Sequence, residues 1–203
     1  MLKKIIILLL MLCLLGSSVG CSGGNPVVPP DSEESTDDVS ENGTYALREI
    51  GPAGGYIFYD KGYYSSGWRY LEAAPVSTEW PYLEWGHYGT LMGGTEKGIG
   101  TGQSNTTKIV AWLNSFSETD CAAQLCDALV YVGYSDWFLP SKDELNLMYT
   151  NLKIFGVGGF SGSYYWSSSE GNAYFAWLQY FTTADQYSYP KALYTYVRAV
   201  RAF

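Results

Sequence analysis

The hydrophobic pattern begins with a short apolar run at the start of the chain. Lys3 and Lys4 precede the run, Ile5–Leu15 is apolar throughout, and small residues follow as far as Gly20. A basic start, an apolar stretch and a small-residue zone are typical of a secretory signal peptide. The run is also too short for a membrane-spanning helix, which needs about 20 residues. The sequence therefore predicts a signal peptide over residues 1–20.

A polar segment separates this signal from the rest of the chain. Residues 21–47 contain Pro26, Pro29 and Pro30 and six acidic residues, with no lysine or arginine. Proline favours an extended backbone and like charges repel one another, so such a segment stays solvated. We predict a tether here, with an acidic recognition tail as the alternative. Residues 48–203 are then predicted to form one globular domain.

Within that domain the hydrophobic periodicity changes from strand-like to helical and back. Two aromatic-rich runs, Tyr56–Asp60 and Trp68–Ala74, flank a glycine- and serine-containing loop and predict a β-hairpin. Residues 76–105 have no clear period and predict an irregular loop. Ser141 with Glu144 forms a capping box, which predicts the start of a helix. The other predicted elements are helices over Thr107–Asn114 and from Thr119 or Asp120 to Val130, and strands over Tyr164–Ser168, Tyr174–Phe181 and Ala192–Ala202. A loop is predicted over Thr182–Lys191, between the last two strands.

Alternation along the strand Tyr174–Phe181 predicts which of its side chains are buried. Successive side chains point to opposite faces of a sheet, and the set that contains Trp177 is the more aromatic. Trp166, on the preceding strand, is also predicted to lie in the core. The predicted core set of the strand is Phe175, Trp177, Gln179 and Phe181, and the predicted outward set is Tyr174, Ala176, Leu178 and Tyr180.

Two arginines interrupt the otherwise apolar C-terminal strand. An arginine with buried neighbours usually pairs with a carboxylate, so Arg198 and Arg201 are predicted to form ion pairs. The predicted partners are Glu72, Asp136 and Glu170.

Composition narrows the chemistry that the domain can perform. The chain has 203 residues, a net charge of −8, one histidine and 4 cysteines. A single histidine excludes most multi-histidine zinc sites, and an acidic protein lacks the basic face that nucleic-acid binding needs. We therefore predict no metal, no cofactor, no nucleic-acid partner and no catalytic residue.

An enzyme is the alternative with the least support. His87 would act as a general base with Glu84 or Glu96, but no Gly-x-Ser-x-Gly elbow accompanies it. Cys121 and Cys126 lie on or beside a predicted helix. Their spacing is compatible with a disulfide at the helix entry and equally with two buried thiols.

Five phrases occur in order along the chain: GPAGGYIFYD at 51–60, GWRYLEAAP at 67–75, DWFLPSKDEL at 136–145, YWSSSE at 165–170 and YVRAVRAF at 196–203. Together these phrases resemble the Lcl C-terminal domain family. The resemblance covers residues 48–203 and implies a C-type-lectin-like α+β fold, in which short helices pack on a twisted, mostly antiparallel sheet. It also implies extracytoplasmic binding or adhesion, although formylglycine-generating enzymes share the broad fold.

The end of the predicted signal carries a second resemblance. Cys21, directly after Val19 and Gly20, is similar to the lipobox cysteine of bacterial lipoproteins, although Ser18 stands where that pattern prefers leucine. The resemblance implies that Cys21 is lipidated and anchors the chain in the bacterial cell envelope, at the outer membrane or the cell surface. An ordinary signal peptide followed by an unrelated cysteine is the alternative.

Tyrosine and small polar residues are concentrated near the C-terminal end. Tyrosine gives a large contact area at low entropic cost, and small polar side chains adapt their hydrogen bonds, as in antibody paratopes. We predict that residues 172–196 form a face that binds a protein or a glycan; a structural envelope component without a specific ligand is the alternative. In the same fold family, some lipoproteins are diversified at adenine-containing codons near the C-terminus, which is the finer hypothesis for this face. The predicted ligand-binding residues are Asn172, Tyr174, Leu178, Tyr180, Asp185, Gln186, Tyr187, Tyr189 and Tyr194.

Overall fold

The structure, a computed structural model, describes residues 43–203. The predicted signal peptide, Cys21 and most of the predicted tether lie outside the described residues. Tyr45, near the end of the predicted tether, packs edge-to-face on Tyr70 and Phe203, with ring centroids 5.4 and 5.5 Å away. The chain therefore contacts the domain core from Tyr45 onward.

Short helices and strands alternate along the described residues. The strands are β1 (Tyr56–Ser65), β2 (Trp68–Ala73), β3 (Trp80–Leu83), β4 (Tyr164–Glu170), β5 (Phe175–Tyr180), β6 (Gln186–Pro190), β7 (Thr195–Val197) and β8 (Val200–Ala202). The α-helices are α1 (Gly102–Ser115), α2 (Ala122–Asp127) and α3 (Lys142–Asn151), and two single-turn 3-10 helices span Val76–Thr78 and Lys153–Phe155.

The strands form two sheets, whose orders are β1-β2-β8 and β3-β7-β4-β5-β6. All pairings between strands are antiparallel except the one between β4 and β7. The larger sheet lies between two apolar clusters, because adjacent residues of β4 point to opposite sides. Trp166 joins α1 and α2 in one cluster, whereas Tyr165 joins α3 and the smaller sheet in the other. This arrangement confirms the predicted α+β class with short helices on mostly antiparallel sheets.

The predicted hairpin is confirmed, with a tighter turn than expected. β1 continues to Ser65, which pairs with Trp68, so that only Ser66 and Gly67 form the turn. Both turn residues have positive φ angles, +52° and +84°. That conformation matches the twist of the two strands in a two-residue hairpin.

The helices begin and end at different residues from those predicted, except for α3. The capping box of α3 is present: the Ser141 hydroxyl accepts a hydrogen bond from the Glu144 N–H, and the Glu144 carboxylate accepts one from the Ser141 N–H. Helix α1 begins at Gly102, inside the glycine-rich stretch that gave no helical signal. A side chain there would collide, because a Cβ on Gly102 would lie 2.8 Å from the Phe138 ring. Helix α2 is limited to Ala122–Asp127.

The C-terminal quarter differs from the prediction in two places. The segment 182–191 was predicted as a loop, but Gln186–Pro190 forms strand β6 beside β5. The predicted strand Ala192–Ala202 is divided into β7 and β8, which belong to different sheets. Arg198 lies between β7 and β8. Its guanidinium is buried and donates hydrogen bonds to the carbonyl oxygens of Ala74 and Gly158.

The two arginines form ion pairs, one of them with an unpredicted partner. Arg201 pairs with Asp136 at 2.9 Å and with Glu72 at 3.4 Å, as predicted. Arg198 pairs instead with Glu79, whose Oε2 accepts from Nε at 3.0 Å. Glu79 follows a 3-10 turn within the region that was predicted to be irregular, so no periodic signal connected it with the strand.

The prediction for the faces of β5 is wrong in part. Ala176 and Leu178, predicted to face outward, are 0% and 1% exposed and lie in the cluster with Trp166. Trp177, predicted in the core, is only partly buried. Both faces of β5 are covered, since the Gln179 amide on its other face donates to Asn146 of α3 at 2.9 Å. Alternation separates the two faces of such a strand but does not identify the more deeply buried one.

Candidate functional site

Three tyrosine rings contact the ring of Tyr164 on one face of β4, β5 and β6. Tyr164 stacks on Tyr180 with centroids 4.5 Å apart and an interplanar angle of 24°. It also lies nearly parallel to Tyr189, at 5.9 Å and 13°, and meets Tyr187 at 6.3 Å and a steep angle. We call Tyr164, Tyr180, Tyr187 and Tyr189 the tyrosine cluster.

Strand register brings these residues together. Tyr164 is the cross-strand partner of Tyr180, while Tyr187 faces Leu178 across the β5–β6 pair. Tyr189 faces Ala176 in the same pair. Residues directly opposite in a sheet share a face, so the rings cover the surface above the buried Ala176 and Leu178. The apolar core therefore forms the floor of the cluster.

The outer rings of the cluster are accessible and carry hydroxyl groups. Tyr187 is 42% exposed and Tyr189 is 36% exposed. The Tyr187 hydroxyl donates to Asp185 at 3.2 Å, and the Thr183 hydroxyl donates to the same carboxylate. Partial burial raises the pKa of Tyr187, and the Asp185 charge raises it further. The phenol is therefore neutral at physiological pH; its proton is donated to Asp185, and its oxygen can accept a hydrogen bond from a ligand.

The structure brings together four of the predicted ligand-binding residues: Tyr180, Asp185, Tyr187 and Tyr189. It adds Tyr164, which the prediction missed. One feature of the sequence indicates where Tyr164 lies: it is two residues before Trp166, and such residues point to the same face of a strand. Without the register between strands, that position did not indicate contact with the later tyrosines.

Two other predicted tyrosines are exposed but take part in different contacts. Tyr174 is 49% exposed and packs on Tyr88 with centroids 5.2 Å apart. Tyr194 is 62% exposed, and its hydrogen bond to Glu84 raises its pKa. Neither ring contacts the tyrosine cluster within the described residues.

Three predicted ligand-binding residues have structural contacts instead. Leu178 is buried in the core, so its predicted place on the binding face is wrong. The amide of Gln186 lies on the opposite face of β6 and donates to the Lys142 carbonyl of α3 at 2.9 Å. Asn172 is exposed, but its Oδ1 closes the β4–β5 turn by accepting from the N–H groups of Tyr174 and Phe175.

Trp177 lies on the face of β5 opposite the tyrosine cluster and has basic neighbours. The ammonium groups of Lys97 and Lys142 are 5.1 and 4.7 Å from its ring. Its indole N–H is shielded from solvent and has no hydrogen-bond partner among the described residues. Sequence alternation did not reveal this environment, because α3 and the 84–101 loop supply the lysines from distant parts of the chain.

The residues of the enzyme alternative do not assemble as predicted. The carboxylate beside His87 is Glu118, with Nδ1 and Oε1 2.6 Å apart, rather than Glu84 or Glu96. Cys121 and Cys126 are buried free thiols. Burial raises the pKa of Cys121 to about 12 and that of Cys126 well above its usual value, so neither forms the reactive thiolate near neutral pH.

Surface clefts within residues 43–203 lie away from the tyrosine cluster. A cleft of about 580 Å³ is lined by aromatic rings that include Tyr45, Tyr64 and Tyr134. Its two arginines, Arg69 and Arg201, are already paired with carboxylates. A smaller cleft of about 340 Å³ contains Tyr82, Glu84 and Tyr194. Neither cleft contains a residue of the tyrosine cluster.

Residues 43–203 contain neither a cluster of metal-ligating side chains nor a helix suited to span a membrane. No group of three or more histidine, cysteine, aspartate or glutamate side chains in this part of the chain is arranged to hold a metal ion. None of the helices in the same range is both long and apolar enough to cross a membrane.

Comparison with known proteins identifies the family. No curated protein matches the chain. The family model of the Lcl C-terminal domain matches residues 83–201. The phrases at 136–145 and 165–170 lie within the match, and those at 51–60 and 67–75 precede it. Because the match covers more than half of the chain and extends from β3 to β8, the protein belongs to the Lcl C-terminal domain family.

Proposed function

We propose that this protein is an extracytoplasmic recognition module that binds a protein or a glycan through the tyrosine cluster. The observation that carries the proposal is the group of three tyrosine rings, Tyr180, Tyr187 and Tyr189, that surround the ring of Tyr164 on the surface of the sheet. Rings held against one another on strands lose little conformational freedom when a ligand binds, so more of the contact energy appears as affinity.

The sequence supports an envelope location for this module. The signal-like residues 1–20 and the lipobox-like Cys21 indicate export followed by lipid anchoring. The acidic, proline-containing segment that follows would hold the domain away from the membrane surface. The net charge of −8 makes nucleic acid an unsuitable ligand.

The chemistry of the cluster supports binding rather than catalysis. Its groups are phenols beside one carboxylate, Asp185, which already accepts two hydrogen bonds. Buried Cys121 and Cys126 are protonated near neutral pH. His87 is stacked on Phe116 with centroids 3.7 Å apart and is tied to Glu118.

A ligand screen tests this proposal. The purified full-length chain is applied to a glycan array and to immobilised host and bacterial surface proteins, in parallel with a Tyr187→Ala/Tyr189→Ala double variant. We expect saturable binding of at least one ligand, and loss of that binding in the variant. The matched control is Tyr63→Ala/Tyr64→Ala, because these tyrosines are also exposed, at 64% and 70%, but lie on the β1–β2 hairpin.

The structural alternative gives a different result in the same screen. A passive envelope component would associate with itself and show no ligand whose binding depends on Tyr187 or Tyr189. Equal binding by the wild type and the cluster variant would therefore contradict the proposed role of the tyrosine cluster.

Diversification of the C-terminal segment is a finer part of the proposal. Asp185, Tyr187 and Tyr189 are exposed, so the fold would accept changes at these positions. The test is to sequence this locus from related isolates and to search beside it for a near-copy of the coding segment. Substitutions confined to adenines, with such a copy nearby, would support diversification; a fixed sequence without a copy would contradict it.

A further inference from the structure

Strand β6 forms one outer edge of the larger sheet. It pairs with β5 in regular antiparallel register, in which Tyr187 faces Leu178 and Ser188 faces Trp177. At the two ends of the pair, the Tyr180 N–H donates to the Asp185 carbonyl at 2.8 Å and the Lys191 N–H donates to the Tyr174 carbonyl at 2.9 Å.

This register determines which backbone groups of β6 point outward. In an antiparallel pair only alternate residues exchange N–H···O=C bonds with the partner strand. Asp185 and Lys191 form such bonds with β5, so the alternate residues between them, Tyr187 and Tyr189, also direct their backbone N–H and C=O groups toward β5. The N–H and C=O groups of Gln186 and Ser188 therefore point away from β5. Among residues 43–203, no group forms a hydrogen bond with them.

The edge is short and has a defined end. Like Gln186 and Ser188, Pro190 has its backbone directed away from β5, but it has no N–H to donate. An added strand would therefore bond mainly to Gln186 and Ser188, each of which offers one donor and one acceptor. Unpaired strand edges are the sites at which extended peptides add to a sheet.

Side chains on the two faces of this edge have different chemistry. Tyr187 and Tyr189 of the tyrosine cluster flank it on one side. On the other side, Ser188 lies beside Trp177, whose ring has the ammonium groups of Lys97 and Lys142 within 5.1 and 4.7 Å. Among the described residues neither ammonium forms an ion pair with a carboxylate.

An extended peptide on this edge would meet both environments. Its successive side chains point to opposite faces of the sheet. One set would lie against the tyrosine rings, where an apolar or aromatic side chain gains contact and the Asp185 charge disfavours a carboxylate. The other set would lie toward Lys97 and Lys142, where a carboxylate supplies the missing counter-charge.

We infer that the ligand is a polypeptide: an extended segment of a partner protein adds to β6 as a further strand, with apolar and acidic side chains in alternation. This inference rests on the proposed function, because it assigns a ligand class to the tyrosine cluster. Main-chain hydrogen bonds to Gln186 and Ser188 supply part of the affinity, and the two faces supply the specificity.

The test uses a displayed library of linear peptides and the purified full-length chain. Peptides with alternating apolar and acidic residues are expected to be enriched. Ser188→Pro removes the outward N–H together with the side-chain hydroxyl, and we expect it to weaken the binding of the enriched peptides by about tenfold. The fold is expected to accept this change, because Pro190 already occupies the next outward position. Ser188→Ala keeps the N–H and is expected to bind like the wild type.

A second measurement does not depend on the folding of a variant. N-methylation of alternate residues in an enriched peptide removes the N–H groups that would face β6, and we expect it to abolish binding. N-methylation of the other residues is expected to leave binding in place, because those N–H groups face solvent.

Distinct results would overturn the inference. If the peptides bind Ser188→Pro and Ser188→Ala equally but fail on Tyr187→Ala/Tyr189→Ala, the proposed function stands and strand addition is wrong. Strand addition would also be contradicted if the chain binds glycans on the array and the wild type binds no peptide more strongly than Ser188→Pro does. A wild-type dimer that Ser188→Pro dissociates would show that a second copy of this chain, rather than a partner peptide, occupies the edge.

Discussion

Trp166 and Trp177 lie on neighbouring strands of the sheet and differ in one hydrogen bond. The indole N–H of Trp166 donates to the Leu83 carbonyl at 3.0 Å, whereas that of Trp177 has no partner among the described residues. A buried donor without a partner lowers the free energy of unfolding by about 1–3 kcal/mol. A buried carbonyl that loses its donor has a cost in the same range. Two tryptophans that look equivalent in the sequence therefore contribute differently to stability.

Replacement of each tryptophan by phenylalanine tests this difference. We expect Trp177→Phe to change the free energy of unfolding by less than about 1 kcal/mol, because the lost contacts are offset by removal of the unpaired donor. Trp166→Phe is expected to cost more, about 2–3 kcal/mol, since it also leaves the Leu83 carbonyl unpaired. Urea denaturation of both variants gives the comparison, and an equal loss in the two variants would contradict it.

Lys191 is buried with an ion-pair partner. Its ammonium contacts Glu170 at 2.6 Å, and the exposures of the two side chains are 0% and 3%. Glu170 also accepts from the N–H groups of Met92 and Gly93, so the pair fixes the loop that precedes α1. Removal of one partner from a buried pair leaves an uncompensated charge.

We predict that Lys191→Met lowers the free energy of unfolding by about 3–5 kcal/mol. Lys108→Met is the control, because Lys108 is exposed, and it should change stability by less than about 0.5 kcal/mol. Adding Glu170→Gln to Lys191→Met should restore part of the loss, because the stranded carboxylate is removed. Chemical denaturation of all the variants measures these effects; a small loss in Lys191→Met alone would contradict the account.

At the scale of elements, α3 was the most predictable part of the fold. Its capping box is local in sequence, so Ser141 and Glu144 identified the helix start without knowledge of the tertiary structure. Strand β6 was missed because its pairing with β5 depends on register, and its alternating residues Tyr187, Ser188 and Tyr189 resembled a polar loop. Helix α1 was placed too late because Gly102 is required by packing against Phe138 rather than by helix propensity.

The cap of α3 gives a prediction at the same scale. Ser141→Ala removes the acceptor of the Glu144 N–H and also the donor to the Gly98 carbonyl. We expect a loss of about 1–2 kcal/mol in the free energy of unfolding. Ser115→Ala, at the exposed end of α1, should have almost no effect. Thermal denaturation compares the melting temperatures of the two variants. Similar melting temperatures would contradict the role of the cap.

At the scale of the whole molecule, two buried carboxylates connect distant parts of the chain. Glu72 of β2 accepts hydrogen bonds from the Ala53 and Gly55 N–H groups and pairs with Arg201 of β8. Glu144 of α3 accepts from the Gly100 N–H at 2.7 Å, which ties the 84–101 loop to the helix. Burial raises the pKa of Glu72 and of Glu144 above 4.5, despite these hydrogen bonds.

These raised pKa values predict how stability depends on pH. In the unfolded chain both carboxyls ionise near 4.5, so above that pH the folded protein binds more protons than the unfolded chain. The free energy of unfolding should therefore fall as the pH rises from 4.5 through the raised values. Arg69 lowers the pKa of Asp60 below 3.8, so its opposite effect is confined to more acidic solutions.

Urea denaturation between pH 4.5 and neutrality measures this dependence. Glu144→Gln should flatten the slope, because one of the two proton-binding carboxyls is removed. Stability that rises with pH across this interval would contradict the assigned pKa directions.

The candidate site was only partly accessible from the sequence. The concentration of tyrosine led to the prediction of a binding face, and within that segment Tyr187 and Tyr189 are exposed. The grouping was not predictable, because Tyr164 and Tyr180 meet through the register of β4 with β5. Leu178 was misplaced because both faces of its strand are covered.

The most direct test of the account is the affinity of the full-length chain for the ligand found in the screen, measured by titration calorimetry. The wild type, Tyr187→Ala/Tyr189→Ala and Tyr63→Ala/Tyr64→Ala are compared under identical conditions. The account predicts that Kd rises by at least about tenfold in the first variant, because central aromatic residues carry most of the energy of an interface. The second variant should bind like the wild type. If Kd is unchanged in the first variant, or rises equally in both, the tyrosine cluster is not the recognition surface.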